Sequence, residues 1–165
     1  MTATAPRTEP TTRRSPASRI TIALLFLLGI TALGGGLAMV LGLGNESTML
    51  PDEWLADLPL IDSWVIPGLV LAIGFGLGSL LVGYGMVRRP DWAWTEPVTR
   101  STGYHWSWAG TLMIGVGHVL WILLQLVFLP GLSALQAIYG TIGLTLATLP
   151  LARPVRDDLR LPPTG

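Results

Sequence analysis

Residues 20–43 read ITIALLFLLGITALGGGLAMVLGL, an unbroken stretch without Asp, Glu, Lys or Arg. A helix needs about 20 mainly apolar residues to cross the hydrocarbon core of a bilayer, and this stretch is long enough. Three more charge-free runs follow, at 65–87, 109–129 and 134–149. The last is short by itself, and its neighbours extend it to a span at 133–151. In a dry bilayer only helices and closed barrels satisfy the backbone, and these runs lack the alternation of barrel strands. The expected fold is an all-α membrane protein, a four-transmembrane-helix bundle over 20–151.

The ten arginines all lie outside those runs: Arg7, Arg13, Arg14 and Arg19 before the first span, Arg88, Arg89 and Arg100 between the second and third, and Arg153, Arg156 and Arg160 after the fourth. The loop between the first two spans has none and carries Glu46, Asp52, Glu53, Asp57 and Asp62 instead. Arginine beside a span resists translocation, so this asymmetry predicts a multi-pass protein of the cell (plasma) membrane with both termini cytoplasmic. The tails at 1–19 and 152–165 are then cytoplasmic, the first of them disordered because it lacks large apolar side chains. In the outer loop, Pro51 followed by Asp52 and Glu53 favours a short interfacial helix, with Trp54, Leu55 and Leu58 on the membrane surface. Asp62 or Ser63 is expected to cap the second span.

Of the 165 residues half are hydrophobic and 12% charged, the mean hydropathy is +0.57, and the formal net charge is zero. No basic excess exists to bind nucleic acid. The absence of cysteine excludes disulfides and thiol chemistry. Trp54, Trp64, Trp92, Trp94, Trp106 and Trp108 flank the spans, as an interfacial aromatic belt requires.

Glycine patterning addresses packing. Gly74 and Gly78 form a small-xxx-small pair continued by Ser79 and Gly83, a face on which the first span, with Gly34 to Gly36, can approach closely. The same face would also allow a homo-oligomer. Polar patterning addresses function. Thr111, His118 and Gln125 recur every seven residues along the third span, with His118 near mid-membrane, where a polar group is most costly. A tight turn at Pro130-Gly131 registers the fourth span so that paired residue numbers sum to about 261, setting Gln125 against Gln136 and His118 against Gly143. Gln136 and Tyr139 share the Gly143 face, although Ser133 to Gln136 also has capping-box spacing. The candidate intramembrane polar site is Thr111, His118, Trp121, Gln125, Gln136 and Tyr139. His118 reads either as a neutral imidazole hydrogen-bonded across helices or as a relay, ion-path or ligand group. No nucleophile, base and orienting acid converge, and no catalytic, cofactor-binding or metal residue is assigned.

The order of features resembles the functionally uncharacterised small four-span membrane proteins of high-GC Gram-positive bacteria. The residues that carry the likeness are Gly34 to Gly36, Glu53-Trp54-Leu55, Asp62 before Pro67-Gly68, Gly74 and Gly78, Arg88-Arg89 with Trp92, Trp121 to Gln125, and Leu135-Gln136 with Tyr139 and Gly143. The resemblance implies a compact four-helix bundle and brings no activity. Small multidrug transporters need a carboxylate in their first span, which is missing here. The expectation is a non-enzymatic accessory or scaffold subunit whose partners are the lipid bilayer and a membrane protein or a second copy. The alternative is a small transporter or channel using the polar stripe.

Overall fold

Ser15 and Pro16 set where the first helix begins. Ser15 is the N-cap, its side chain accepting from Ser18 N–H at 3.2 Å, and Pro16 occupies the first turn, where its missing N–H costs nothing. The helix therefore starts four residues before the apolar run, and 16–19 belong to it rather than to the N-terminal tail. The computed structural model describes residues 14–43, 54, 62–129 and 133–161. The expected tail disorder at 1–13, the outer interfacial helix at 51–58 with most of its acids, and the Pro130-Gly131 turn fall outside the described residues, Trp54 apart.

Among the described residues, four helices are long and apolar enough to cross a membrane: α1 (Pro16–Leu41), α2 (Val65–Arg88), α4 (Trp106–Phe128) and α5 (Ala134–Leu151). Two short helices flank them at the arginine-bearing end, α3 (Glu96–Thr102) and α6 (Arg153–Leu159). Gly42 closes α1 in the left-handed conformation that only glycine adopts freely, which lets Leu43 N–H bond Ala38 O at 2.9 Å. Neither Asp62 nor Ser63 caps α2. Its N-cap is Trp64, with no side-chain bond. The expected capping box at the start of α5 is present, with Ser133 and Gln136 each bonding the other's backbone.

The centre of α2 is widened into π-helix over Val70–Leu77, where Gly78 N–H reaches back five residues to Ile73 O. Along this segment α1 and α2 meet backbone to backbone. A side chain at Gly36 would lie 2.5 Å from both Ala72 N and Gly68 O, and one at Gly76 would lie 2.9 Å from the Leu33 backbone. The packing face of α2 is thus Gly68, Ala72 and Gly76, continued by Gly83 against Leu25 and Phe26. Gly74 does not belong to it. It sits two residues, roughly half a turn of the helix, from both Ala72 and Gly76, and has nothing within 4 Å of where a Cβ would stand. Gly78 faces Ile114 of α4 rather than α1.

Helices α4 and α5 form the second close pair. A Cβ at Gly115 would overlap the backbone of Leu146 and Ala147, while Gly140 lies beside Ile122 and Gly143 beside His118 and Val119. These pairs sum to 261 or 262, the antiparallel registration that a tight turn dictates. Between the pairs, large side chains fill glycine gaps. Phe75 and Val82 of α2 pack on Gly117 and Gly110, while Ile114 and Trp106 of α4 pack on Gly78 and Gly85.

The arginine-bearing end is closed by a layer that the tail composition conceals. Within α6, Val155 and Leu159 are fully or nearly buried. Asp158 accepts from Ser15 N–H at 2.8 Å and Ser18 Oγ at 2.7 Å, so a C-terminal carboxylate completes the N-terminus of α1. Burial by itself would raise the Asp158 pKa, but these hydrogen bonds and the Arg89 charge hold it below the ordinary carboxylate range. Arg14 also bonds the Val87 carbonyl. Arg156 donates to Tyr104 OH at 2.7 Å and 3.0 Å, and His105 N–H bonds Leu159 O at 2.8 Å. Two of the expected belt tryptophans serve this layer. Trp106 is buried and donates to Pro90 O, and Trp108 stacks on Tyr104 and donates to Pro150 O. Trp94 is 66% exposed, as a belt residue should be.

Candidate functional site around His118

Ser107, Thr111, Ile114, His118 and Ile122 are all buried along one stripe of α4. Their spacings of three and four residues keep them on the face that meets α2 and α5. Opposite lies an α2 stripe of the same kind, Phe75, Ser79, Val82 and Met86, each 8% exposed or less. The two stripes touch at both ends. Phe75 meets His118 with ring centroids 4.9 Å apart and planes at 78°, and Met86 Sδ lies 3.5 Å from Thr111 Oγ1.

His118 is 2% exposed. Tyr139 of α5 stands edge-on to it at 6.0 Å, and the missing side chain of Gly143 makes room for the ring, since a Cβ there would lie 3.2 Å from His118 Cδ2. Trp121 packs behind Phe75, with centroids 6.0 Å apart. Among the described residues, no protein group hydrogen-bonds either His118 ring nitrogen, and buried Ser79 Oγ also lacks a partner. The cross-helix hydrogen bond expected for this imidazole is therefore not made. Each unsatisfied buried polar group costs about 1–3 kcal/mol, so an imidazole and a hydroxyl left without partners inside a small bundle require an explanation.

The other stripe members lie apart from His118. Thr111 Oγ1 donates to Ser107 O at 2.7 Å, one turn back on its own helix. Gln136 Oε1 accepts Ser133 N–H in the capping box, which leaves that side chain at the end of α5. Gln125 is half-buried near the end of α4. Of the six expected residues, His118, Tyr139 and Trp121 form one cluster with Phe75. Thr111 belongs to the arginine-bearing half, and Gln125 and Gln136 to the opposite end.

Sequence reading missed Phe75 and Met86, and placed Ser79 only on the small-residue packing face. Their signal was the i, i+4, i+7, i+11 recurrence in α2, overshadowed by the glycines between them. It also missed the role of His105. That imidazole caps α4: Nδ1 accepts from Ser107 N–H at 3.3 Å and lies 2.8 Å from Ser107 Oγ, while Nε2 is 3.3 Å from Pro90 O. A backbone N–H can only donate, so Nδ1 is the acceptor and the proton sits on Nε2. Burial lowers the His105 pKa below 6.5, against the Pro90 bond and the Asp91 charge, which would raise it. No group of three His, Cys, Asp or Glu side chains converges among the described residues.

The chain is thus an all-α, multi-pass membrane protein built on four helices, with a sealed aromatic and imidazole cluster at its centre. No family model, curated protein or solved structure matches it.

Proposed function

We propose that this chain is a non-enzymatic accessory or scaffold subunit of the plasma membrane, with both termini in the cytoplasm. One observation carries the reading. The polar residues that a transport route would use do not line a path, because His118 is 2% exposed behind Phe75, Tyr139 and Gly143. Thr111 and Gln136 are committed to backbone groups of their own helices. The arginine distribution supports the orientation. The exposed surface is then the working part, offered to lipid and to a membrane-protein partner or a second copy.

The test is reconstitution of the purified protein in liposomes. Proton and ion flux should stay at the level of empty vesicles, and a flux carried by the protein alone would end the proposal. Orientation can be checked cleanly because the chain has no cysteine. Single cysteines at Ser47 and Thr2 should react with an impermeant maleimide on intact cells at the first position only.

A second reading, a small transporter or channel using Thr111, His118 and Gln125, draws support from the unsatisfied His118 ring nitrogens. It requires a flux that falls in His118→Ala and Gln125→Ala.

A further inference from the structure

The threonines buried in or lining the spans follow one rule, and the buried serines depart from it: Ser18 donates to Asp158, Ser107 Oγ pairs with His105 Nδ1, and Ser79 has no partner among the described residues. Thr21, Thr31, Thr111, Thr141, Thr145 and Thr148 each donate to the carbonyl four residues back, at 2.7–2.9 Å. Ser79 does not make the equivalent bond to Phe75 O, the carbonyl that receives Gly78 N–H at the end of the π-helical segment. Ser79 Oγ is left without a partner, fully buried, on the stripe that faces His118.

Helix geometry brings the two unsatisfied groups toward each other. Contacts of Phe75 with Gly117, Gly78 with Ile114 and Val82 with Gly110 show that α2 and α4 run antiparallel. Ser79 stands one turn, about 6 Å of rise, beyond the Phe75 that touches His118. Side chains lean toward the N-terminus of their own helix. Ser79 therefore leans toward the level of Phe75, and His118 leans toward the level of Ile114, so the two tilts close the gap from both sides. Two hydrogen bonds in series span about 5–6 Å, the reach of one bridging molecule.

We propose that Ser79 and His118 form a binding site, sealed between α2, α4 and α5, for one small hydrogen-bonding guest, which in the resting protein is water. The guest donates to or accepts from Ser79 Oγ and a His118 ring nitrogen, the minimum set of polar partners that an internal water requires. Phe75, Tyr139 and Gly143 provide the apolar wall. This site is independent of the scaffold reading, since a structural water and a subunit role coexist.

The probe is water itself. Protein labelled with 15N-histidine is placed in lipid bilayers, and magnetisation transfer from water to the ring nitrogens is measured by solid-state NMR. With only two histidines, His105→Asn leaves the His118 signals alone in the spectrum. Transfer to His118 should be present in that background and should drop by at least about half in Ser79→Ala, a small change that removes only the hydroxyl. Thr21→Val, which deletes a buried hydroxyl bonded to its own helix, should leave the transfer as it was. No transfer to His118, an unchanged transfer in Ser79→Ala, or an equal drop in both variants overturns the proposal.

Discussion

Gly36→Ala should separate the first helix pair, while Gly74→Ala should not. Both substitutions replace glycine inside a helix, so both gain the same propensity term, about 1 kcal/mol. They differ in what the new methyl meets. At Gly36 it lands 2.5 Å from Ala72 N and Gly68 O, about 0.9 Å inside the 3.4 Å that ordinary contact begins at, and both obstacles are backbone. Neither can rotate away, so α1 must retreat from α2. A gap of 0.5–1 Å forfeits a quarter to a half of the dispersion energy of each facing atom pair, and overpacking of this kind costs about 1–3 kcal/mol. At Gly74 nothing lies within 4 Å. The difference between the variants is therefore about 2 kcal/mol, on the order of a thirty-fold change in the folding equilibrium. Reversible unfolding of the two proteins in mixed micelles measures it directly. Equal stabilities, or a greater loss at Gly74, would refute the assignment of Gly68, Ala72 and Gly76 as the packing face.

Three further outcomes follow from the capping groups. His105 is held neutral in the folded protein, so its contribution is complete above pH 6.5 and is lost as pH falls from there through the lower folded value; thermal unfolding between about pH 8 and about pH 5.5 should show a smaller decline in His105→Asn, which keeps an N-cap acceptor without titrating. Asp158 has a lowered pKa, so its hold on α1 is complete above 3.8 and weakens as pH drops below it; at neutral pH, Asp158→Asn should release α6, read as faster proteolysis after Arg156 in detergent, with the bundle intact. Ser133→Ala removes one half of the capping box and should cost about 1 kcal/mol, seen as roughly five-fold faster amide exchange at Gln136.

The spans were legible because charge and lipid exclude each other so strongly that four charge-free runs have one physical reading. The α4–α5 registration was legible for a simpler reason: a tight turn leaves one way to align the two helices. The phase of the α2 packing face was not. Glycines at 68, 74, 76, 78 and 83 offer several overlapping small-residue ladders, and selecting one depends on where a neighbouring backbone comes closest. The idle hydroxyl of Ser79 was hidden because whether a buried serine finds a partner depends on what the neighbouring helices bring, which composition does not record. The α6 lid was hidden by distance. RPVRDDL reads as a charged tail, and only the four-residue spacing of Val155 and Leu159 hints at a buried face. Its anchor, Asp158, finds Ser18 140 positions away in the chain.

The two helix pairs differ in kind from the seam that joins them, and this bears on function. Inside each pair the contacts are backbone on backbone, at Gly36 with Ala72 and at Gly115 with Leu146 and Ala147. Across the α2–α4 seam, four large side chains from alternating helices each fill a glycine gap in the other. A route past His118 along this seam would have to unseat Phe75, Val82, Ile114 and Trp106 together. Burying one such side chain stabilises by about 1.5–3 kcal/mol against water, so wetting all four would consume most of the stability of an ordinary domain. Single-copy conduction through the bundle is therefore disfavoured by packing, independently of where the polar residues lie. The guest proposed between Ser79 and His118 makes no such demand, because an enclosed molecule would satisfy the imidazole without wetting any of the four.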